Sequence, residues 1–201
     1  MSVLVLTGRS QHRADRSLAW GLPEADFDHA AGMITKAEVR AVVLGKLALP
    51  AHGVLWDVGA GSGSVGIECA RLRPGLEVFA VERDPEQAHR IRVNAARHAV
   101  SFPVIEGAAP DALAGLPDPD RVFVGGGGIA VLDAALGRLR PAGVVVATYA
   151  VVDRAVAAAS RLGNLVELAV SRGVTGRAGL RLRAENPVFI CWGPDARAAG
   201  T

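Results

Sequence analysis

The stretch "VLWDVGAGSGSVGIE" at residues 54–68 decides the fold of this chain. It begins as a short apolar segment, passes through closely spaced glycines and continues into a helical pattern. A strand that turns through glycines into a helix is typical of the ligand-binding edge of an open α/β sheet. The same turn also occurs as a tight β-to-α connection that binds nothing, so the surrounding sequence has to decide between the two.

Five apolar runs of strand length, this one included, alternate with helical patterns. The runs are residues 54–58, 78–82, 102–106, 122–125 and 144–148. The helical patterns are residues 63–73, 84–98, 129–139 and 151–162. Strands that are apolar throughout are expected where helices cover both faces of a parallel sheet. The alternation therefore predicts an α/β fold: an open, mostly parallel sheet with right-handed crossovers and helices on both faces.

Two helix starts carry capping signals. Thr35, with Glu38 three residues later, has the pattern of a capping box, and Asp84 followed by Pro85 has the pattern of an N-cap and a first helical residue. We therefore expect one helix to begin at Thr35, ahead of the first strand, and another at Asp84.

The end of the chain departs from the alternation. Two strand-like segments, 165–172 and 182–193, follow each other without a helical pattern between them. This order predicts an antiparallel C-terminal hairpin. We expect residues 1–22 to form an N-terminal arm or the remnant of an interdomain linker, residues 23–194 to form the domain, and residues 195–201 to form a tail.

Composition limits the class of protein. The 201 residues are 50% hydrophobic and 21% charged, which fits one globular domain. The net charge of +2 lacks the clear basic excess of nucleic-acid-binding domains. No run approaches the roughly eighteen apolar residues that span a bilayer, and Cys69 and Cys191 have no partner at metal-binding spacing. We expect a cytoplasmic protein with no nucleic-acid, membrane or metal partner.

The glycines narrow the choice of cofactor. A nucleoside-triphosphate loop needs a Lys-Ser/Thr pair after its glycines, and "GAGSGSVG" has no lysine. The dinucleotide fingerprint needs Gly or Ala where this loop has Ser64, although a residue as small as Ser leaves NAD open.

Two carboxylates favour S-adenosylmethionine. Asp57 stands just before Gly59, where a carboxylate suits a ligand with an ammonium and a sulfonium better than one with a pyrophosphate. Glu82 ends the second strand, 21 positions after Gly61, where it can accept hydrogen bonds from ribose hydroxyls. S-adenosylmethionine is therefore the predicted cofactor.

Stretches on both sides of the loop resemble a known family. They are "GLPEADF", "MITKAEVRAVVLGKL", "AVERDP", "IEGAAPDAL", "VFVGGGG" and "LRPAGVVVA". With "DVGAGSG" they resemble the class I S-adenosylmethionine-dependent methyltransferases, which have a Rossmann-like fold. More narrowly, they are similar to the decarboxylating methyltransferase family of cobalamin (corrin) biosynthesis. That family comprises the C-terminal part of precorrin-6Y C5,15-methyltransferase and the equivalent stand-alone subunit.

The resemblance implies methylation of C-15 and decarboxylation of the C-12 acetate side chain of a precorrin. Methyl transfer depends mainly on positioning an electron-rich carbon against the sulfonium. Loss of carbon dioxide needs an electron sink, which the conjugated macrocycle can provide, and neither step needs a metal or a Cys-His pair. No catalytic acid or base is assigned; Gly125, Gly126 and Gly127 are expected to let a flat substrate approach the methyl donor. A methyltransferase for tRNA or another nucleic acid and a non-catalytic S-adenosylmethionine-binding module are the alternatives.

The resemblance also implies a set of site residues. The glycine loop would wrap the methionine moiety, Glu82 would hold the ribose, and the backbone after the third strand would lie beside the adenine. The expected cofactor-binding residues are Thr35, Asp57, Gly59, Ala60, Gly61, Ser62, Gly63, Glu82, Gly107 and Ala108. Arginines in the last strands are suited to substrate carboxylates. These are Arg172, Arg177, Arg181 and Arg183.

Two expectations concern assembly. The N-terminal "SVLVLTG" looks like the tail of an upstream domain, so we expect fusion to a C5-methyltransferase domain in the full protein. The resemblance further implies a homotetramer.

Overall fold

Nine strands and five helices make up the part of the chain that the computed structural model describes, residues 19–30, 34–176 and 179–194. The strands are β1 (Gly53–Val58), β2 (Leu76–Glu82), β3 (Val104–Glu106), β4 (Arg121–Val124), β5 (Val144–Tyr149), β6 (Asn164–Leu168), β7 (Ser171–Gly176), β8 (Gly179–Ala184) and β9 (Val188–Gly193). The helices are α1 (Ala37–Leu47), α2 (Ser64–Leu72), α3 (Pro85–Arg97), α4 (Ile129–Arg138) and α5 (Val152–Leu162). None of these helices is both long enough and apolar enough to cross a membrane. Most of the predicted arm, the tail and Arg177 lie outside the described residues.

Seven strands form one sheet in the order β3-β2-β1-β4-β5-β9-β6. Neighbours from β3 to β5 pair in parallel, and β9 is antiparallel to both β5 and β6. The strand order reverses at β1, because β2 lies on one side of it and β4 on the other. The loops that follow β1 and β4 therefore meet at a topological switch point, where open α/β sheets bind ligands. The predicted fold class is confirmed.

The C-terminal strands differ from the prediction in number. Segment 165–172 spans most of β6 and the start of β7, and segment 182–193 spans the end of β8 and all of β9. β6 and β9 pair in the main sheet, whereas β7 and β8 form a separate two-stranded sheet between them in sequence. The expected single hairpin is thus an antiparallel pair with a second hairpin inserted. The connections that divide these strands are too short to interrupt the strand-like pattern.

Alternation along β1 sends successive side chains to opposite faces of the sheet. Trp56 and Val58 join the core beneath α4 and α5, while Leu55 joins the core beneath α1 and α2. Full burial of a side chain such as Leu55 stabilises the fold by about 1.5–3 kcal/mol. Asp57 shares the face of Leu55, which brings its carboxylate under the start of α2.

The start of α1 differs from the prediction. Lys36 is the N-cap residue, and its side chain makes no capping hydrogen bond. The capping box from Thr35 to Glu38 is therefore wrong. The backbone N–H of Ala37 donates instead to the Glu24 carboxylate at 3.0 Å, so a side chain from a preceding turn replaces the local cap. The start of α3 is confirmed, with Asp84 accepting a hydrogen bond from the N–H of Glu86 at 2.9 Å.

The N-terminal segment is part of the packed structure from residue 19 onward, where Ala19 packs against the cluster that includes Leu22 and Ile67. The backbone N–H groups of Gly21 and Leu22 donate to Glu68 of α2 at 2.6 and 3.0 Å. Glu68 in turn pairs with Arg40 of α1, and both side chains are fully buried. The expected domain start at residue 23 stays a prediction, and residues 21 and 22 are held by the same buried ion pair as the domain.

Candidate functional site

The glycine loop joins the end of β1 to the first turn of α2. Gly59, Gly61 and Gly63 have φ angles of +69°, +56° and +75°, in the left-handed region that favours glycine. The N–H groups of Gly59 and Ala60 donate to the Val81 carbonyl at 2.9 and 3.2 Å. These bonds fix the loop against β2, and the backbone geometry explains the spacing of the glycines.

The loop also meets the glycine run that follows β4. A Cβ atom on Gly59 would lie 2.8 Å from the N and Cα atoms of Gly126. The N–H of Gly125 donates to the Val58 carbonyl at 2.9 Å. The two loops touch backbone to backbone, so the surface they form carries no side chain at that point.

Glu82 ends β2 and contacts the same loop. Its Oε2 atom accepts a hydrogen bond from the N–H of Gly61 at 2.9 Å, and its Oε1 atom accepts one from the N–H of Asp84 at 3.0 Å. The side chain is thereby held in one orientation. A carboxylate has about four acceptor positions, so two remain for ligand hydroxyls. The Glu82 carbonyl accepts from the N–H of Gly107 at 3.0 Å, which brings Gly107 and Ala108 beside it.

Asp57 lies beneath the loop and is fully buried. Its Oδ2 atom accepts a hydrogen bond from the N–H of Gly66 at 2.8 Å, while Oδ1 has no partner among the described residues. Burial raises the pKa of Asp57 to about 7; the bond from Gly66 opposes the rise and the charge of Glu82 adds to it. The contact that the structure shows for Asp57 is therefore with the backbone of α2, whose first turn it positions.

Asn94 of α3 holds the loop from behind. Its amide Nδ2 donates to the carbonyls of Ser62 and Asp28, at 2.9 and 2.8 Å, and its Oδ1 accepts from the N–H of Asp28 at 2.7 Å. The side chain is fully buried. One amide thus ties the glycine loop to the N-terminal segment.

A cavity of about 490 Å³ opens between the glycine loop, the end of β5 and the start of α1. Among the predicted residues it is lined by Thr35, Gly59, Ala60, Gly61, Ser62 and Gly125. Its described lining does not include Asp57, Gly63, Glu82, Gly107, Ala108, Gly126 or Gly127. The structure thus brings Thr35 together with the glycine loop.

The cavity has two walls, which different interactions hold in place. The loop wall consists of residues 59–63 and is supported by Glu82 and Asn94. The outer wall consists of residues 185–188, of which 186–188 line the cavity, and of the β7–β8 hairpin that precedes them in sequence.

Of the predicted arginines, the outer wall contains Arg172, Arg181 and Arg183. Arg172 of β7 lies 2.6 Å from Glu24 and 2.7 Å from Glu38. These hydrogen-bonded carboxylates raise the pKa of Arg172, and Arg172 holds the pKa of Glu24 at about 2. Arg181 and Arg183 are exposed, and none of the three described arginines lines the cavity. Their predicted contact with substrate stays a prediction, and the charge of Arg172 is already matched by two carboxylates.

Several lining residues escaped the reasoning from sequence. Thr148 and Tyr149 end β5 at the same edge of the sheet as the glycine loop, so the predicted topology could have indicated them. Lys36 and Asn186 line the cavity although 150 positions separate them, and no local pattern points to that contact.

Relatives with named activities match this chain along most of its length. The profile of the precorrin methyltransferase domain family matches residues 25–191. The decarboxylating precorrin-6Y C(5,15)-methyltransferase of Sinorhizobium sp. is 46% identical over 139 residues, which are 68% of this chain and 33% of that protein. The chain thus spans about a third of that relative's length. A probable decarboxylating cobalt-precorrin-6B C(15)-methyltransferase of Pyrobaculum calidifontis is 40% identical over 183 residues, covering 85% of this chain and 93% of that protein.

A solved structure agrees with these relatives. The crystal structure of a precorrin-6Y C5,15-methyltransferase from Geobacter metallireducens GS-15 aligns with a TM-score of 0.80 and 37% sequence identity. The alignment covers 86% of this chain and 96% of that one. By sequence and by fold, this chain belongs to the precorrin methyltransferase domain family.

Proposed function

We propose that this chain uses S-adenosylmethionine to methylate C-15 of a precorrin and removes the carboxyl group of its C-12 acetate side chain as carbon dioxide. The family supports the reaction type. The activity for which the Pyrobaculum relative is named supports the substrate, since that relative matches this chain nearly end to end. The observation that carries the proposal is the backbone contact between Gly59 and Gly126 beside the cavity. A flat macrocycle can approach the donor loop only where no side chain stands between them.

The residues present fit the proposed donor. Ser62 lines the cavity, and its buried hydroxyl has no hydrogen-bond partner among the described residues. An unpaired buried polar group costs about 1–3 kcal/mol, so a ligand that pairs with it gains that energy. Gly59 leaves a cradle that a side chain would close. Ser62 and the loop backbone would hold the methionine moiety, and Glu82 would hold the ribose hydroxyls.

When bound, S-adenosylmethionine supplies a methyl group on a positively charged sulfur. The chain contributes orientation: the loop wall is held by buried hydrogen bonds, which keeps a bound donor in one place. Glu82 is oriented by two backbone N–H groups before any ligand arrives. Thr35 and the glycines that follow β4 would keep the space beside the loop open for the tetrapyrrole and narrow enough to exclude bulk water.

Assembly is part of the same proposal. The relative from Sinorhizobium sp. is about three times longer than the matched region, which supports a fusion with a second methyltransferase domain. For the homotetramer, the exposed Leu180 and Leu182 of the β7–β8 hairpin, each 73% exposed, offer apolar area for contacts between copies. Sedimentation of the purified chain measures its oligomeric state.

Turnover tests the function. The purified chain is mixed with ¹³C-methyl-labelled S-adenosylmethionine and a precorrin that carries the C-12 acetate, and the product is examined by NMR and mass spectrometry. We expect one labelled methyl group at C-15 and the loss of one carboxyl group. Labelling of bulk tRNA, or donor binding without any transfer to precorrin, would contradict the proposal in favour of a nucleic-acid enzyme or a binding module.

A further inference from the structure

Lys36 contributes the one charged side chain among the described residues that line the cavity. The rest of that lining consists of glycines, apolar residues and neutral polar groups, and burial raises the pKa of Tyr149 to about 12, which keeps its phenol neutral. A single ammonium among neutral groups acts with less screening than it would in open water.

The Lys36 ammonium is bound to two residues of the outer wall. Its Nζ atom lies 3.4 Å from the Glu185 carboxylate and donates to the Asn186 carbonyl at 3.2 Å. Both side chains of the ion pair are 23% exposed. Hydrogen bonding to Lys36 is the main cause of the lowered pKa of Glu185, so the carboxylate is ionised at neutral pH.

Glu185 has a second cation available. Arg183 lies 3.3 Å from its other carboxylate oxygen, and the Arg183 side chain is 69% exposed. If Lys36 turned toward a ligand, Glu185 would keep Arg183 as its partner. The arrangement therefore permits exchange of Lys36 between Glu185 and another carboxylate without leaving Glu185 unpaired.

The other candidate cations of this region are less suited to a ligand in the cavity. Arg172 is already bound to Glu24 and Glu38, and Arg181 and Arg183 stand outside the lining. Lysine is a compact point charge on a flexible stem, so it can follow a carboxylate that arrives from either side of the cavity.

We propose that Lys36 binds a ligand carboxylate in the cavity, and that Glu185 holds the Lys36 ammonium until that carboxylate replaces it. This inference rests on the proposed function, which supplies two sources of a carboxylate: the methionine moiety of the donor and the acid side chains of the precorrin. In both cases Glu185 competes with the ligand, so removal of the Glu185 charge strengthens the binding that removal of the Lys36 charge weakens.

The test compares Lys36→Met and Glu185→Gln with Arg181→Met as the matched control. Arg181→Met removes an exposed positive charge of the same hairpin that lies outside the cavity lining and takes no part in the exchange at Glu185. Calorimetry measures the Kd of S-adenosylmethionine and of decarboxylated S-adenosylmethionine for each variant, and steady-state kinetics measure KM for the precorrin. Urea midpoints confirm that each variant is folded.

If the carboxylate comes from the donor, the wild type prefers S-adenosylmethionine to its decarboxylated form. Lys36→Met then abolishes this preference with a loss of about tenfold in donor affinity, the size of one charge-assisted hydrogen bond. If the carboxylate comes from the precorrin, Lys36→Met leaves donor affinity unchanged and raises KM for the precorrin about tenfold with little change in kcat. In either case Glu185→Gln shifts the same constant the other way, and Arg181→Met leaves it within about twofold, as expected of an exposed charge.

Two results overturn the inference. The first is that Lys36→Met leaves both constants unchanged. The second is that Glu185→Gln weakens binding as Lys36→Met does, which would identify the pair as a structural brace. Failure of the wild type to transfer a methyl group contradicts the proposed function alone, because the calorimetric comparison of the two donors still reports on Lys36.

Discussion

The loop wall and the outer wall of the cavity are held by different kinds of interaction. Asn94, which supports the loop wall, and the Arg40–Glu68 pair, which joins α1 to the helix that follows the loop, are fully buried. Arg172, which ties the outer wall to α1, bonds carboxylates whose side chains are 21% and 46% exposed. Buried hydrogen bonds fix a geometry, whereas exposed ion pairs are weak and easily exchanged. Under the proposed function, we expect the rigid side to hold the methyl donor and the yielding side to admit the tetrapyrrole.

Loss of the buried ion pair is expected to have the largest effect. Arg40→Met leaves the Glu68 charge buried, and breaking such a pair costs about 3–5 kcal/mol of the free energy of unfolding. Urea denaturation measures this change. The double variant Arg40→Met/Glu68→Leu should recover part of the loss, because it removes the unpaired charge. A cost below about 1 kcal/mol for Arg40→Met would place the pair in the same class as exposed ones.

The two walls should respond to pH in opposite directions. The folded-state pKa of Asp57 is raised from 3.8 to about 7, so its contribution to stability is fully present below pH 3.8 and is lost as the pH rises through 7. At about 1.4 kcal/mol per pKa unit, the loss reaches up to about 4 kcal/mol. Asp57→Asn removes this dependence, so urea unfolding from pH 4 to 8 should show the wild type losing stability relative to the variant. Parallel curves would exclude a raised pKa at Asp57.

Glu24, the partner of Arg172 in the outer wall, supplies the opposite case. Its pKa is lowered from 4.5 to about 2 by Arg172, so its contribution is present above pH 4.5 and is lost as the pH falls toward 2. Glu24→Gln should therefore flatten the acid side of the stability profile and leave unchanged the loss of stability that Asp57 causes as the pH rises. An acid limb identical to that of the wild type would show that Arg172 does not hold this carboxylate.

Single glycine substitutions distinguish the loop wall from the glycine run that follows β4. Gly59→Ala would bring a Cβ within 2.8 Å of the Gly126 backbone at a φ of +69°. Left-handed strain alone costs about 1–3 kcal/mol. The matched control Gly126→Ala meets Gly59 only at 3.6 Å, an ordinary contact. Calorimetry should show weaker donor binding for Gly59→Ala and little change for Gly126→Ala; equal effects would contradict the close approach of the two loops.

The smallest change in the free energy of unfolding is expected for a substitution in the outer wall. Arg172→Met should lower the free energy of unfolding by no more than about 1 kcal/mol, since the side chains of this group of ion pairs are 21% to 46% exposed. The same urea experiment that measures Arg40→Met measures it. A loss as large as that of Arg40→Met would show that the hairpin is as firmly held as the loop.

Local patterns predicted the parts of the site that one segment builds alone. The glycine loop and the helix start at Asp84 follow from residues a few positions apart, and the mostly parallel sheet follows from the β-α alternation. Contacts between distant segments were beyond such reasoning. Thr35 and Glu38 match a capping box, yet Glu24, 13 positions before Ala37, takes the N–H.

The arginines illustrate the same limit. A cluster of cations in sequence indicates affinity for carboxylates but not which carboxylates come near. Arg172 meets Glu24 and Glu38, 148 and 134 positions away, and only the docking of the β7–β8 hairpin against α1 brings them together. Nothing in the sequence pointed to Asn94. It bonds the backbone carbonyls of Ser62 and Asp28, which lie in other segments, and a bond to a backbone atom requires no particular residue type there.

The most direct test of the loop wall as the donor site is calorimetry with S-adenosylmethionine on the wild type, on Glu82→Ala and on the control Glu77→Ala. Glu77 is an exposed carboxylate at the other end of β2. We expect Glu82→Ala to lose about 1.5–3 kcal/mol of binding free energy, the size of hydrogen bonds to a charged group, and Glu77→Ala to match the wild type. Unchanged affinity in Glu82→Ala would remove Glu82 from the donor site and contradict the account.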